Sequence, residues 1–239
     1  MSGSRQRDDG GVVRSGVVRA AIVHSPLVGP STVIPLVAEL GQLDVVADVP
    51  DLRVAIGSPD NFRRRATDAA AGADLLIGHS GAGAFLPAIA DAANVTTIVF
   101  VDAVVPGAGD AFTPSRQLVE LLDAVPTVDG LMAPWNEWWP AELMAQLVPD
   151  PTQRRLIESE IPRVKRSFYD GAVPLPPQWW TRPAGYLQLS PPYQEDLARA
   201  ADWGWPTARL RGHHLDTCAE PAAVAASIRG LIDRIGRSA

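Results

Sequence analysis

Leu75-Leu76-Ile77-Gly78-His79-Ser80-Gly81-Ala82-Gly83 decides how this chain is read. An apolar run suited to a buried strand meets a serine flanked by small residues, and an alanine-rich helical pattern follows. Gly78 lets the backbone turn sharply at the strand's end, and Gly81 and Ala82 remove side chains that would collide there. Such a turn holds Ser80 in a strained conformation, with its hydroxyl above the sheet edge and the N–H groups of a helix start beside it. The pattern small-x-Ser-x-small between strand and helix is a nucleophile elbow, here with Ala82 at the fifth position. Short glycine-serine runs also make ordinary strand-to-helix turns, so the rest of the chain has to supply the partners of a reactive serine.

Outward from the elbow, apolar runs at 17–24, 43–49, 74–78, 96–101, 185–189 and 206–211 read as strands. Helical patterns lie between them: 32–40 with Ser31 as its cap, 61–71, the elbow helix, 193–201 and 221–235. Pro87 falls inside the elbow helix and should kink it or delay its regular part. The last helix places Val224, Ile228, Leu231, Ile232 and Ile235 on one face. Strands alternating with helices predict an α/β fold: a mostly parallel sheet of about six strands, flanked by helices. The alternation stops between Val105 and Pro183, where prolines punctuate short helical candidates at 115–124 and 140–148 and a longer one at 151–167. Trp135, Trp138, Trp139, Trp179 and Trp180 all fall in this stretch. It is too long for a loop and reads as an inserted helical cap over 105–183, with the core formed by 17–104 and 184–239.

Bulk properties narrow the classes. The length of 239 residues fits one α/β domain with an insertion. A net charge of −6 with no basic stripe argues against nucleic acid or an anionic membrane as partner, which leaves a small-molecule substrate. The single Cys218 excludes an intrachain disulfide and a cysteine metal cluster, suits a reducing cytoplasm, and reads as a small apolar filler. Residues 1–16 are polar and glycine-rich and read as a disordered tail rather than a secretory signal. No run approaches the ~20 apolar residues of a membrane span. Neither a metal nor a cofactor is expected: the elbow glycines fail the third glycine of a dinucleotide fingerprint, and no lysine follows them to make a phosphate loop. The oligomeric state is left open, a homodimer included.

An activated serine needs a base within hydrogen-bond reach and a group that orients the base. The four histidines are His24, His79, His213 and His214. His24 ends the first strand and His79 is the elbow's variable position; both read first as structural, and as candidate pocket residues because they stand at the same rim. His213 and His214 lie after the final strand, where a loop can swing an imidazole over the edge that Ser80 faces.

With these residues the chain resembles the α/β-hydrolase superfamily over nearly everything from Val17 onward, the cap being the variable insertion. The marks are the elbow at 78–82 and Gly212-His213-His214 followed by an apolar residue, Pro221 and the closing helix. The resemblance implies His214 as the base, with His213 second, and an acid between nucleophile and histidine in chain order. Most relatives carry that acid after the strand matched by 185–189, but here Ser190-Pro191-Pro192-Tyr193 follows, and the first carboxylates are Glu195 and Asp196. Some relatives, certain haloalkane dehalogenases among them, use the strand after the elbow helix, where this chain has Asp102. An aspartate that ends an apolar strand is costly to bury without a partner such as an imidazole N–H, which favours Asp102 over Glu195 and Asp196.

The resemblance also implies two oxyanion donors. Gly81 N–H supplies one. The other usually comes from the third residue of His-Gly-x, but this chain reads His24-Ser25-Pro26, and Pro26 has no N–H. That leaves Leu27, the Ser25 hydroxyl, or no second donor. Trp135, Trp138 and Glu137, the last a carboxylate that its tryptophan neighbours could desolvate, complete the candidate pocket. The function implied is hydrolysis of a small apolar ester, thioester or lactone through an acyl-enzyme. The alternatives are a lyase or cyclase on the same scaffold and a silent ligand-binding relative.

Overall fold

Six strands form one sheet in the computed structural model, which describes residues 17–238, so the expected tail lies outside the described residues. They are β1 (Val18–Val23), β2 (Val45–Asp48), β3 (Leu75–His79), β4 (Thr97–Val101), β5 (Ala184–Gln188) and β6 (Thr207–Arg209). All pair in parallel, in the order β6-β5-β4-β3-β1-β2. Alternate residues serve opposite faces, as strand geometry requires. Ala20 and Ile22 join Leu75, Ile77, Val99 and Val101 on one face, and Ala21 and Val23 join Leu76, Ile98 and Phe100 on the other.

The first face is covered by α1 (Pro35–Gly41) and α8 (Pro221–Ser238), which bury Leu36, Leu40, Val224, Ile228 and Leu231. The second carries α2 (Pro59–Ala69), α3 (Leu86–Ala92) and α7 (Gln194–Asp202), through Phe62, Ala66, Leu86, Ile89 and Ala200. Continuous apolar strands are what a sheet covered on both sides needs.

Local chemistry shifts several boundaries. Ser31 does not cap a helix over 32–40: residues Pro30–Thr32 form a 3-10 turn, and α1 begins at Pro35. A proline there lacks only an N–H that the first helical turn leaves unpaired anyway. Pro87 delays the elbow helix, since Ser80–Phe85 is a 3-10 segment and α3 starts at Leu86. The pattern at 151–167 yields only α6 (Pro151–Glu160), because Ile161 precedes Pro162 and is pushed to extended backbone.

Between β4 and β5 lie α4 (Arg116–Ala124), α5 (Ala141–Leu147), α6 and two short antiparallel ribbons. Ribbon and loop residues Met132, Val164, Phe168 and Val173 merge into the core on the α2–α3 face. Trp179 and Trp180 do not join Trp135, Trp138 and Trp139. Trp179 is buried against Trp203 and Trp205, with ring centroids 5.3 and 5.8 Å apart, and Trp205 Nε1 donates to the Trp180 carbonyl at 3.0 Å. These four anchor the end of the insertion to the sheet, and Trp135, Trp138 and Trp139 remain over the sheet's C-terminal edge.

Candidate active site

The elbow forms as its residue pattern demands. Ser80 has φ of 60°, a left-handed value rare for residues other than glycine, asparagine and aspartate, and costs about 1–3 kcal/mol of local strain. A Cβ at Gly78 would strike the Leu86 side chain. A Cβ at Gly83 would fall on the Val104 carbonyl, so this glycine, beyond the motif proper, lets the elbow pack against the loop that follows β4. Gly81 faces the Ser25–Pro26 loop, with the Ser25 Oγ 3.2 Å from where a Cβ would stand.

The structure brings Ser80, His214 and Asp102 together from the end of β3, the loop after β6 and the end of β4. His214 Nδ1–H donates to Asp102 Oδ2 at 2.7 Å, which leaves Nε2 to accept from the Ser80 hydroxyl at 3.0 Å. The loop that presents His214 turns at Gly212, where a Cβ would collide with the Asp216 carboxylate that binds the His213 N–H. His213 itself is exposed. Glu195 is exposed on α7, and Asp196 accepts from Val105 N–H at 2.7 Å, so neither carboxylate reaches the imidazole.

Asp102 is fully buried. Burial alone pushes its pKa up, but hydrogen bonds from His214 and Ser190 outweigh that and hold the carboxyl below its ordinary range. Oδ1 accepts Leu189 N–H at 2.8 Å and Ser190 N–H at 2.9 Å, while Oδ2 also accepts the Ser190 hydroxyl at 2.5 Å. Leu189 and Ser190, at the strand end where the sequence resemblance first implies an acid, therefore supply donors to Asp102 at the end of the adjacent strand. The β4–β5 register, with Val101 opposite Leu187, puts these groups side by side.

Two expected pocket residues prove to be supports. His79 is buried, stacks on His214 at 4.6 Å, and donates from Nε2 to the His214 carbonyl at 2.8 Å. Burial, aided by the neighbouring His214, pushes its pKa down to about 3, so it is a neutral spacer and not a substrate contact. His24 is also fully buried: Nδ1–H donates to the Ser25 carbonyl at 2.9 Å and Nε2 accepts Leu52 N–H at 3.1 Å. Both ring nitrogens are spent on backbone, and burial lowers its pKa. Glu137 is exposed and lies outside the cavity lining.

A cavity of about 500 Å³ opens over Ser80, walled by Leu27, Leu118, Leu121, Trp135, Trp138, Trp139, Leu143, Leu147 and Tyr169. Its polar groups are few: Ser25, Ser80, Ser190, Tyr169, Tyr193, His213 and His214. No Asp, Glu, Lys or Arg lines it among the described residues. Sequence reasoning missed Tyr193, whose ring stacks on His214 at 5.1 Å and whose hydroxyl lies 3.2 Å from Ser80 Oγ. Because the single Ser80 proton goes to His214, Tyr193 is the donor in that pair. The only signal for it was negative, a tyrosine close after the strand where an acid was sought. Of the proposed oxyanion donors, Gly81 borders the cavity, and Leu27 N–H points instead to Ser25 Oγ at 3.3 Å. Among the described residues no group of three or more metal-ligating side chains occurs, and no helix is long and apolar enough to cross a membrane.

Parallel sheet, strand-end serine and histidine loop define the α/β-hydrolase fold, and the chain carries it. No protein-family model and no curated protein matches the sequence. Solved structures do match over nearly their whole length. One is an extracellular α/β-hydrolase from a Paenibacillus species, 16% identical, covering 90% of this chain and 98% of its own, with a TM-score of 0.65. A pyrethroid hydrolase from Sphingobium faniae is 16% identical, with 90% and 97% covered and a TM-score of 0.67. Tomato methylketone synthase I, bound to 2-tridecanone, is 13% identical, with 91% and 98% covered and a TM-score of 0.70.

Proposed function

We propose that the protein is a serine-dependent hydrolase of a small, neutral, apolar ester. Ser80 Oγ attacks the carbonyl carbon as His214 Nε2 takes its proton, and the carbonyl π electrons move to oxygen. Asp102 holds the His214 tautomer and stabilises the imidazolium. Collapse of the tetrahedral species expels the alcohol, protonated by His214. Water, deprotonated by the same nitrogen, then frees the acid and restores Ser80. The insertion acts as a cap over the acyl-enzyme.

The observation that carries this reading is the unbroken line from Ser80 through His214 to a buried, four-fold hydrogen-bonded Asp102 at the floor of an apolar cavity. The lining favours an uncharged ester or lactone over a thioester of a phosphorylated carrier, since it offers such a phosphate no cation. A pyrethroid hydrolase and an extracellular α/β-hydrolase of the same fold are in keeping with hydrolysis.

A lyase or cyclase without a covalent intermediate is the second reading. Pro26, standing where a backbone oxyanion donor is expected, and a methylketone synthase of the same fold favour it. Turnover of neutral aryl and alkyl esters by wild type and Ser80→Ala separates the two. Hydrolysis that falls at least 10³-fold in the variant fits the first reading. Product formation that survives the substitution supports the second and refutes the first.

A further inference from the structure

We propose that the Ser25 side-chain hydroxyl is the second oxyanion donor, in place of the backbone N–H that Pro26 lacks. The inference rests on the acyl-enzyme reading above. Three observations converge on Ser25. First, the backbone of its own loop is committed elsewhere: Pro26 has no N–H, and Leu27 N–H points to Ser25 Oγ at 3.3 Å. Second, that bond occupies a lone pair of Oγ and turns the hydroxyl hydrogen away from Leu27, free to donate. Third, Ser25 is only 2% exposed yet borders the cavity beside Ser80 and Gly81, with Oγ next to the Gly81 backbone.

The loop is also held rigid. The Ser25 carbonyl accepts from His24 Nδ1 at 2.9 Å and from Val28 N–H at 3.2 Å, and His24 is fixed in turn by Leu52 N–H. A hydroxyl so held is a preorganised dipole of the kind that stabilises charge developing on a carbonyl oxygen. As the Ser80 Oγ–C bond forms and the carbonyl π pair moves to oxygen, Ser25 O–H and Gly81 N–H both donate to that oxygen. No proton is transferred by Ser25, and the bond relaxes when the carbonyl re-forms. His24 thereby becomes a positioning residue, which explains an imidazole buried neutral under the loop.

The test is Ser25→Ala assayed on the ester that wild type turns over best, with two ligands as readouts: a trifluoromethyl ketone, which forms a hemiketal oxyanion on Ser80, and the product alcohol, which forms none. The proposal expects kcat to fall about 10²–10³-fold with KM nearly constant. It further expects the ketone to weaken by a similar factor and the alcohol to bind as before. A kcat within about threefold of wild type overturns it. So does a loss of kcat accompanied by equal weakening of ketone and alcohol, which would mark Ser25 as a purely structural residue. Ser80→Ala in parallel keeps the two proposals apart. If that variant is inactive and Ser25→Ala is not, only the donor assignment falls; if Ser80→Ala stays active, the acyl-enzyme reading falls with it.

Discussion

Floor and roof of the cavity are built by different means. The floor stands on strand ends: Ser80 and Asp102 terminate neighbouring parallel strands, both with positive φ, at 60° and 44°. Asp102 is fixed by four donors, so its position is set by the sheet rather than by its own rotamer freedom. The roof is carried by short helices between prolines. Trp138 Nε1 donates to the Ala133 carbonyl of its own loop. Helices α5 and α6 pack Met144, Leu147 and Ile157 into a small cluster with Leu215 and Cys218, apart from the two larger cores on the sheet faces, with Glu160 on Ser31 N–H and Gln153 on the Cys218 carbonyl as polar ties. Groups whose chemistry depends on fractions of an ångström sit where backbone pairing is densest, and groups that only shape the space sit on segments free to vary.

Substitutions on the two sides should therefore act on different kinetic constants. Asp102→Asn keeps an oxygen for the Leu189 and Ser190 N–H groups but offers His214 a donor instead of an acceptor, which favours the wrong tautomer. We expect kcat to drop by about 10⁴ with little change in KM. Trp135→Ala, at the roof, removes apolar contact worth roughly 1.5–3 kcal/mol, so KM should rise about 10- to 150-fold while kcat stays within a few-fold. A Trp135→Ala variant that loses kcat as Asp102→Asn does would erase the distinction. Glu195→Gln, exposed on α7, should leave both constants nearly unchanged.

The smallest expected effect is on stability. His79 and His24 are held neutral by burial, His79 down to about 3, whereas the unfolded chain titrates them near 6.5. Below that pH the unfolded state binds protons the native state refuses, so stability falls as pH drops from about 6.5 toward 3. Each imidazole contributes a slope of up to about 1.4 kcal/mol per pH unit. Asp196, raised by burial, opposes this where it takes up its proton, so the slope is read in an Asp196→Asn background over the interval from about 6.5 down to 5. Urea unfolding midpoints that are flat over that interval would contradict the assignment of both rings as buried and neutral.

Much of the floor was legible in the sequence because it depends on short-range pattern. The elbow needs only a strand, small neighbours and a helix, and an aspartate ending an apolar strand announces its need for a partner. The supports were not legible. Ser190 meets Asp102 through strand register 88 residues apart in the chain, and His79 reaches the His214 carbonyl across 135. His24 and His79 read first as structural and are buried supports at the rim, and only their second reading as pocket residues fails, since a strand-end residue can point into the cavity or beneath it. The seven tryptophans look alike in sequence, yet three shape the cavity and four anchor the insertion, a division made by tertiary packing alone.

Intact-protein mass spectrometry after exposure to a fluorophosphonate tests the central claim, that His214 activates Ser80 as a nucleophile. One adduct per chain is predicted, located on the peptide that contains Ser80, absent from Ser80→Ala and strongly slowed in His214→Ala. An adduct on any other residue, or labelling as fast in His214→Ala as in wild type, would contradict it.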